Sequence, residues 1–295
     1  MLQDLSFGKL ENEYHDRKPG AGDTVFCFKE TRILCRKSGE HSLQFPEFTQ
    51  VEELSQEQSW SCWHEESYRY LFCFQGINCF LWMGDAGGCK EADYTYEMVR
   101  QLRYPEVKDL CFAAMTAWHL YVWYRNNRFC GCCGERTIHD SVERMMCCPS
   151  CGNMIFPKIS PAVIVAVTDG DRLLMSKYAG RNYANYALIA GYTEIGETIE
   201  QTVHREVMEE VGLRVKNIRY YKSQPWGVDG TVLMGFYCDL DGENTIHLDE
   251  KELALAEWHH RDSLPAKDDG FSLTREMIRV FEEGKEPRVC TGSMG

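Results

Sequence analysis

Hydrophobic and polar positions are arranged in blocks whose character changes along the chain. Aromatic and aliphatic residues dominate from Tyr68 to Phe74, Gln75-Gly76 interrupts them, and the same composition continues from Ile77 to Met83. This pattern predicts a β-hairpin. Apolar residues then recur with helical spacing, which predicts helices from Glu91 to about Leu102 and from Asp109 to Tyr124.

Residues 1 to about 60 are polar and only weakly periodic, so they predict no definite element. Together with the hairpin and the two helices, they are expected to form a small N-terminal α+β domain over residues 1–125. The sequence of this domain does not disclose its purpose.

A second domain of different texture is predicted over residues 158–295. An unbroken apolar run from Ala162 to Val167, a turn at Asp169-Gly170 and a second run from Leu173 to Met175 predict a buried β-hairpin. A final helix is expected from roughly Leu273 to Glu283. The two domains place the chain in the α+β fold class.

Length and charge narrow the classes of function. A chain of 295 residues with 44% hydrophobic content can form two modest cores. The net charge of -13 excludes a broad basic face for duplex nucleic acid, so a nucleic acid would be contacted only locally. The first 25 residues contain no apolar run typical of an export signal, and the apolar helical stretch Leu110 to Tyr124 is shorter than a membrane span. These features predict a cytoplasmic protein without membrane association.

Two C-x2-C pairs with 14 residues between them form a compact module, expected over residues 126–157. The pairs are Cys130 with Cys133 and Cys148 with Cys151. This spacing is typical of a zinc ribbon, in which four thiolates bind one Zn²⁺ per subunit. Because the protein would fill all four coordination positions, the zinc is expected to be structural.

Other residues near the module could serve as metal ligands or as a nucleic-acid surface. Cys132 and Cys147 complete no C-x2-C pair, and His139 is expected to be a solvated loop residue beside the site. A nucleic-acid role for the ribbon is weakly supported, since the segment itself carries only Arg136 and Arg144 beyond its flanking arginines. The chain has 15 cysteines in all, and most of those outside the module are expected to fill apolar cores, among them Cys27, Cys35, Cys73, Cys111 and Cys238.

A helix from about Thr198 to Val211 is predicted by an apolar residue at every fourth position. The apolar residues are Ile199, Val203, Val207 and Val211. Another face of this helix carries Glu206, Glu209 and Glu210, whose carboxylates cluster at i, i+3 and i+4. Such a cluster needs a cation, and hard oxygen ligands suit Mg²⁺ or Mn²⁺ better than zinc.

The flanking residues support hydrolysis at phosphorus. Arg205 is expected to orient a carboxylate by pairing with Glu197, Gly212 to end the helix, and Gly191 to let the entering loop turn tightly. A divalent ion would neutralise a diphosphate and activate water for in-line attack. Either Glu210 or Glu209 is expected to take the proton.

These residues resemble the signature of the Nudix hydrolases at every defined position. The signature here reads Gly191-x5-Glu197-x7-Arg205-Glu206-Val207-x-Glu209-Glu210-x-Gly212-Leu213. The resemblance implies a Nudix α/β/α sandwich with a mixed sheet. The order of N-terminal domain, four-cysteine ribbon, Nudix domain and Ser223-Gln224-Pro225-Trp226 is similar to the NADH pyrophosphatase branch of that family. Membership would imply hydrolysis of NAD(H) to NMN(H) and AMP, removal of NAD caps from RNA 5′ ends, and a homodimer.

The same resemblance implies roles for individual residues. Glu206, Glu209 and Glu210 match the metal ligands of the branch, and Glu252 matches a further acidic residue at the metal. Phe156 matches an aromatic that stacks on the nicotinamide from the partner subunit, and Tyr192 matches a second aromatic of the pocket. The substrate-binding set is completed by Gln224 and Trp226.

The chain departs from the branch after Trp226. It reads Gly227-Val-Asp-Gly-Thr231 where the branch usually has Pro-Phe-Pro-x-Ser, and the loss of prolines predicts a more mobile and more acidic loop. This departure keeps two alternatives open. The substrate could be another nucleotide, such as ADP-ribose or a dinucleoside polyphosphate, or the chain could be a non-catalytic nucleotide or RNA sensor.

Overall fold

In the computed structural model, two compact units are formed by the described residues, which are 1–37, 42–51, 67–84, 93–180, 185–265 and 269–289. The N-terminal unit comprises Leu2–Lys158 and Gly227–Gly230, and the C-terminal unit comprises Met1, Ile159–Trp226 and Thr231–Gly295. The predicted division into three domains remains a prediction.

A seven-stranded sheet forms the body of the N-terminal unit. Its path is β1-β5-β6-β2-β3-β4, with β7 paired to β3. Strands β2 and β6 are parallel, and the other pairs are antiparallel. The strands are β1 (Leu10–Glu11), β2 (Thr24–Lys29), β3 (Arg32–Lys37), β4 (Leu43–Gln44), β5 (Tyr68–Phe74), β6 (Ile77–Trp82) and β7 (Thr95–Met98). Helix α1 (Lys108–Asn126) follows two short 3₁₀ helices, Val99–Gln101 and Pro105–Val107.

The hairpin of β5 and β6 and helix α1 were predicted from the sequence and are confirmed. The predicted helix from Glu91 to Leu102 is wrong in its described part. Residues Thr95–Met98 instead form a strand because they pair with β3, and Val99–Gln101 form a 3₁₀ helix. Glu91 and Ala92 lie outside the described residues.

Four strands, β1 to β4, lie in the segment where the sequence predicted no definite element, and β2 and β3 are the longest of them. Four consecutive residues of β2 and three of β3 are buried, so neither strand shows the alternation that marks a strand with one wet face. Because both faces of the sheet are covered here, the alternation of apolar and polar residues that would have predicted a strand is missing from the sequence.

The cysteine module contains its own three-stranded antiparallel sheet, in the order β10-β9-β8. Its strands are β8 (Ile138–His139), β9 (Met146–Cys147) and β10 (Met154–Ile155). Strand β9 ends at Cys147, directly before Cys148.

The C-terminal unit is an α/β/α sandwich around a mixed six-stranded sheet, as predicted. The path is β14-β15-β11-β12-β16, with β13 paired to β11, and β11 and β15 are parallel. The strands are β11 (Ser160–Asp169), β12 (Arg172–Tyr178), β13 (Ile189–Tyr192), β14 (Val215–Trp226), β15 (Thr231–Leu240) and β16 (Leu253–His260). Helices α2 (Ile199–Val211) and α3 (Leu273–Glu282) were both predicted, and a 3₁₀ turn covers Arg261–Ser263.

Strand β11 divides its side chains between two cores. Val163, Val165 and Val167 belong to the cluster that includes the valines of α2. Ile164 and Ala166 belong to the cluster that includes the apolar face of α3. This alternation explains why the run was unbroken in sequence, since both faces of the central strand are buried.

Within the described parts of the chain, every helix is too short or too polar to cross a membrane.

Candidate active site

Helix α2 carries the acidic cluster, and its own ends determine where the cluster lies. The hydroxyl of Thr198 accepts from the Gln201 N–H, and the Gln201 side chain accepts from the Thr198 N–H, which makes a capping box. Gly212 ends the helix in a left-handed conformation with φ 67°, as expected. The valine stripe is fully buried, so the register of the helix on the sheet fixes the direction of the glutamates.

Arg205 joins the carboxylates of the cluster. Its Nε donates to Glu197 at 2.6 Å, and its Nη1 donates to Glu206 at 2.7 Å and to Glu209 at 2.9 Å. Its Nη2 donates to the carbonyl of Tyr192 at 2.8 Å. The predicted pairing with Glu197 is therefore present, and one guanidinium aligns three acidic side chains with strand β13.

Glu197 supports Arg205 as a fixed anion. The bonds from Arg205 and from the Glu194 N–H lower the pKa of Glu197 to about 2. Thr202 also donates to Glu197 at 3.0 Å. Thr202 was missed in the sequence, where its only signal was a polar residue inside the buried stripe of α2.

Glu210 is the most buried carboxyl of the cluster, with 3% of the residue exposed. Burial, followed by the negative charges of Glu206 and Glu252, raises the pKa of Glu210 to about 8. Burial also raises the pKa of Glu206. The Glu210 carboxyl therefore favours its protonated form near neutral pH, and a bound divalent cation would favour the ionised forms of Glu206 and Glu210.

Gly191 is required for a different reason from the one predicted. It lies in β13 opposite Val163, with no left-handed backbone. A Cβ on Gly191 would lie 1.9 Å from Cδ of Glu206. The glycine therefore lets the Glu206 carboxylate lie against the strand, and no tight turn at this position is involved.

Gly191→Ala is expected to displace the Glu206 carboxylate and to weaken Mn²⁺ binding by about 10- to 100-fold, the loss typical of disturbed metal-ligand support. Calorimetric titration with Mn²⁺ would measure it. Gly22→Ala is the control, because a methyl there meets no atom within 4 Å. Unchanged affinity in a folded Gly191→Ala protein would contradict this role for the glycine.

The donor set around α2 fits a hard divalent cation. Glu206, Glu209 and Glu210 supply carboxylates from one helix face, and the charge of exposed Glu252 acts on both Glu206 and Glu210. Among the described residues, the four cysteines are the group of candidate ligand atoms that all lie within 4.8 Å of one another, and the glutamates do not form such a closed group. An open carboxylate set leaves coordination positions for phosphate oxygens and water, as Mg²⁺ and Mn²⁺ require.

Two predicted substrate residues, Tyr192 and Trp226, lie in the C-terminal unit, and Tyr192 contacts Arg205 of the cluster. Tyr192 is 53% exposed, its carbonyl accepts from Arg205, and its hydroxyl lies 3.3 Å from Oγ1 of Thr231. Trp226 ends β14 directly opposite Thr231. Tyr192, Trp226 and Thr231 are thus linked by strand pairing and one hydroxyl contact.

The other two predicted substrate residues have different surroundings. Gln224 is fully buried, and its amide donates to the Phe271 carbonyl at 2.7 Å and accepts from the Leu273 N–H at 2.8 Å. It thereby fastens β14 to the start of α3. Phe156 lies in the N-terminal unit with 52% of its surface exposed. Their contacts with a substrate remain predictions.

The cysteine module builds its metal site from two matching turns. In each turn the N–H of the first cysteine donates to a carbonyl five residues later, Cys130 to Glu135 and Cys148 to Asn153. Glycine then returns a bond to the same cysteine, Gly134 to Cys130 at 2.9 Å and Gly152 to Cys148 at 3.0 Å. Both glycines have left-handed φ angles, 79° and 72°.

The four predicted sulfurs lie within 4.8 Å of one another. Cys130 and Cys151 are 3.6 Å apart, and Cys133 and Cys148 are 3.5 Å apart. A tetrahedron with Zn–S bonds of about 2.3 Å has edges of about 3.8 Å, so the set fits Zn²⁺. N–H groups of Cys133 and Cys132 lower the pKa of Cys130 to about 6, which favours the thiolate.

His139 lies beside the zinc site but does not belong to it. Its Nε2 is 2.9 Å from the hydroxyl of Tyr124, and its Nδ1 is 3.3 Å from the hydroxyl of Tyr14. The expectation of a solvated residue was wrong, because His139 is half-buried between these two tyrosines.

The other cysteines are placed largely as expected. Cys27, Cys35, Cys111 and Cys238 are buried, while Cys73 is only half-buried. Burial raises the pKa of Cys35 to about 12, which keeps that thiol protonated and unreactive.

Comparison with known proteins matches the two domains that carry these sites. Residues 158–281 match the NUDIX domain family, and residues 125–156 match the NADH pyrophosphatase zinc ribbon domain. A protein of Pectobacterium atrosepticum named NAD-capped RNA hydrolase NudC is 37% identical over 190 residues, which are 64% of this chain and 72% of that protein. A protein of the same name from Klebsiella pneumoniae is 40% identical over 157 residues, 53% of this chain and 60% of the relative.

Among solved structures, a NUDIX hydrolase from Nitrosomonas europaea covers 53% of this chain and 91% of its own, with 24% identity and a TM-score of 0.46. The two domain matches and the Pectobacterium relative agree with the acidic helix and the four-cysteine site. This chain belongs to the Nudix hydrolase family, in the group that carries an NADH pyrophosphatase zinc ribbon.

Proposed function

We propose that this protein hydrolyses the diphosphate linkage of NAD(H) to NMN(H) and AMP, and that it also removes NAD caps from RNA 5′ ends. The observation that carries the proposal is the acidic cluster of α2, which Arg205 aligns beside the exposed Tyr192. Relatives named NAD-capped RNA hydrolase, which share the ribbon and the Nudix domain, support the substrate class.

The residues of the cluster would divide the chemistry. Glu206, Glu209 and Glu210, with Glu252, would hold Mg²⁺ or Mn²⁺, which neutralises phosphate charge and activates water when bound. Water oxygen attacks one phosphorus, the bridging P–O bond breaks, and the leaving nucleotide keeps the bridging oxygen. Glu209 or Glu210 accepts the proton of the attacking water. Arg205 keeps the carboxylates aligned through its bonds to Glu206 and Glu209.

The substrate would be bound by aromatic residues. Tyr192 and Phe156 are half exposed, and an exposed ring offers a face on which a nicotinamide or adenine can stack. We place Trp226 and Gln224 in the same binding region, with Phe156 acting from the partner subunit of a homodimer. A cytoplasmic location belongs to the same proposal, since a reducing compartment keeps the cysteines of the zinc site as thiols.

A second candidate is a Nudix hydrolase of another nucleotide, such as ADP-ribose or a dinucleoside polyphosphate. The loop Gly227–Gly230 favours it, because this loop differs from the Pro-Phe-Pro segment of the NADH pyrophosphatase branch. The metal cluster serves either substrate equally, so only the products can separate the two candidates.

The test is to incubate the protein with Mg²⁺ or Mn²⁺ and, in parallel, NADH, ADP-ribose and RNA with a 5′ NAD cap. We expect AMP and reduced NMN from NADH, and a 5′-monophosphate end on the RNA. The same RNA with a 5′-triphosphate and a reaction lacking divalent metal are the controls. Cleavage of ADP-ribose alone would select the second candidate, and no cleavage of any substrate would overturn both.

A further inference from the structure

We infer that the face of helix α1 formed by Met115, Trp118 and His119 positions the loop Gly227–Gly230, and that this contact sets substrate selectivity. The inference rests on the proposed function for its kinetic part, whereas the contact itself can be tested without turnover. All residues of the contact belong to the N-terminal unit. The loop is the four-residue connection between β14 and β15.

The backbone of the loop fits closely against α1. A Cβ on Gly227 would lie 2.3 Å from the carbonyl oxygen of Met115, a distance that no side chain can accommodate. The contact partner is helix backbone, which cannot move aside as a flexible side chain would. Glycine at this position therefore permits the approach of loop to helix.

Three further contacts hold the remaining residues of the loop. The indole N–H of Trp118 donates to the carbonyl of Val228 at 3.3 Å, and Trp118 is buried, with 7% of the residue exposed. Gly230 has a left-handed φ of 68°, and its would-be Cβ lies 3.1 Å from Nε2 of His119. Arg100 pairs with Asp229 at the surface, where an ion pair contributes little by itself.

The helix residues of the contact share one face because their spacing is i, i+3 and i+4. The sequence predicted a mobile loop from its missing prolines. The structure shows another source of order, since each residue of the loop has a defined neighbour on α1 or on the preceding 3₁₀ helix. The two glycines are then requirements of close packing.

Strand pairing connects the position of the loop to the proposed substrate residues. Gly227 follows Trp226 and Gly230 precedes Thr231, and these two flanking residues pair across the hairpin. Thr231 also contacts the hydroxyl of Tyr192 at 3.3 Å. Because the loop joins these two paired residues directly, we expect displacement of the loop to displace Trp226 and Thr231. Helix α1 would thus act on substrate binding through positioning residues, and the metal cluster would be unaffected.

Two variants test the inference by different routes. Gly227→Ala adds the methyl that Met115 excludes, and Trp118→Phe removes the indole donor while keeping an aromatic ring against Phe28 and Tyr121. Gly22→Ala is the control for the first, since its methyl has open space. Trp123→Phe is the control for the second, because the buried Trp123 N–H has no hydrogen-bond partner among the described residues.

The first measurement is amide hydrogen exchange of the peptide spanning residues 226–231. We expect faster exchange in Gly227→Ala and Trp118→Phe, and exchange as in the unaltered protein for both controls. Thermal unfolding would show that the variants are folded. Unchanged exchange in both test variants would overturn the inference even if the protein proved inactive on every nucleotide.

The second measurement is the kinetics of NADH and ADP-ribose hydrolysis. We expect KM for NADH to rise about three- to tenfold in Trp118→Phe and by about tenfold or more in Gly227→Ala, the change that loss of one hydrogen bond or more produces. kcat should stay within about twofold because the metal cluster is intact. The ratio of kcat/KM for the two substrates should shift. Equal losses for both substrates, or a fall in kcat alone, would overturn the role in selectivity.

Discussion

Replacing Glu210 with Gln is expected to abolish hydrolysis, with kcat falling on the order of a thousandfold or more, while the protein remains folded. Gln is close in shape to the protonated carboxyl that burial favours at this position, where the pKa is raised to about 8. Gln can also still accept the N–H of Ala190. The variant therefore loses negative charge and basicity, and keeps its packing. Glu209→Gln is expected to be equally inactive, because its exposed carboxylate serves the same cluster.

The control is Glu200→Gln, which neutralises an exposed glutamate in the first turn of the same helix. Initial rates with NADH and Mn²⁺, together with thermal unfolding of each protein, would separate chemistry from stability. Near-normal rates in Glu209→Gln and Glu210→Gln would refute the assignment of the acidic cluster as the catalytic centre. An inactive Glu200→Gln would show that removing a negative charge anywhere on α2 abolishes hydrolysis, so the loss would not be specific to the cluster.

Replacing Cys148 with Ser is expected to release zinc and to destabilise the N-terminal unit. The Cys148 thiolate is one of four that lie within 4.8 Å of one another, and serine cannot replace it as a soft ligand. Because metal binding contributes directly to the folding of such modules, we expect a loss of about 3 kcal/mol and a Tm lower by about 10 °C. Atomic absorption and thermal unfolding would measure the two effects.

Cys147→Ser is the matched control, since Cys147 is the adjacent residue of the same type and lies outside the four-sulfur cluster. It should retain one zinc per chain and unfold as the unaltered protein does. If Cys148→Ser kept its zinc, the ligand set deduced from the spacing would be wrong. If Cys147→Ser also lost zinc, the site would extend beyond the four predicted ligands.

Helix α2 and the cysteine module were predictable because their information is local. The valines of α2 repeat every four residues, and Thr198 and Gly212 supply the start and end signals. The cysteine pairs predict their metal because two residues between thiols suit a tight turn around one ion. The chemistry of α2 depends on residues within a few helical turns of each other, and that of the cysteine module depends on two short motifs.

The segment 93–102 and the first strands show where local information was insufficient. Residues Thr95–Met98 form a strand because β3 offers an edge for pairing, and β3 was not recognisable in the sequence since its residues are buried in succession. A strand partner from a distant part of the chain decided the structure there.

The candidate site also combines features that local sequence predicts with features that depend on distant contacts. The sequence by itself determined that three carboxylates lie on one face of a helix, that Arg205 can reach Glu197, and that four cysteines suit zinc. Only the tertiary structure decided that Glu210 is buried enough to raise its pKa, that Gly191 must lack a side chain because Glu206 lies over it, and that Gly227 packs on helix α1. Helical period and ligand spacing act within short stretches of chain, whereas burial and close approach depend on residues that folding brings together from far apart.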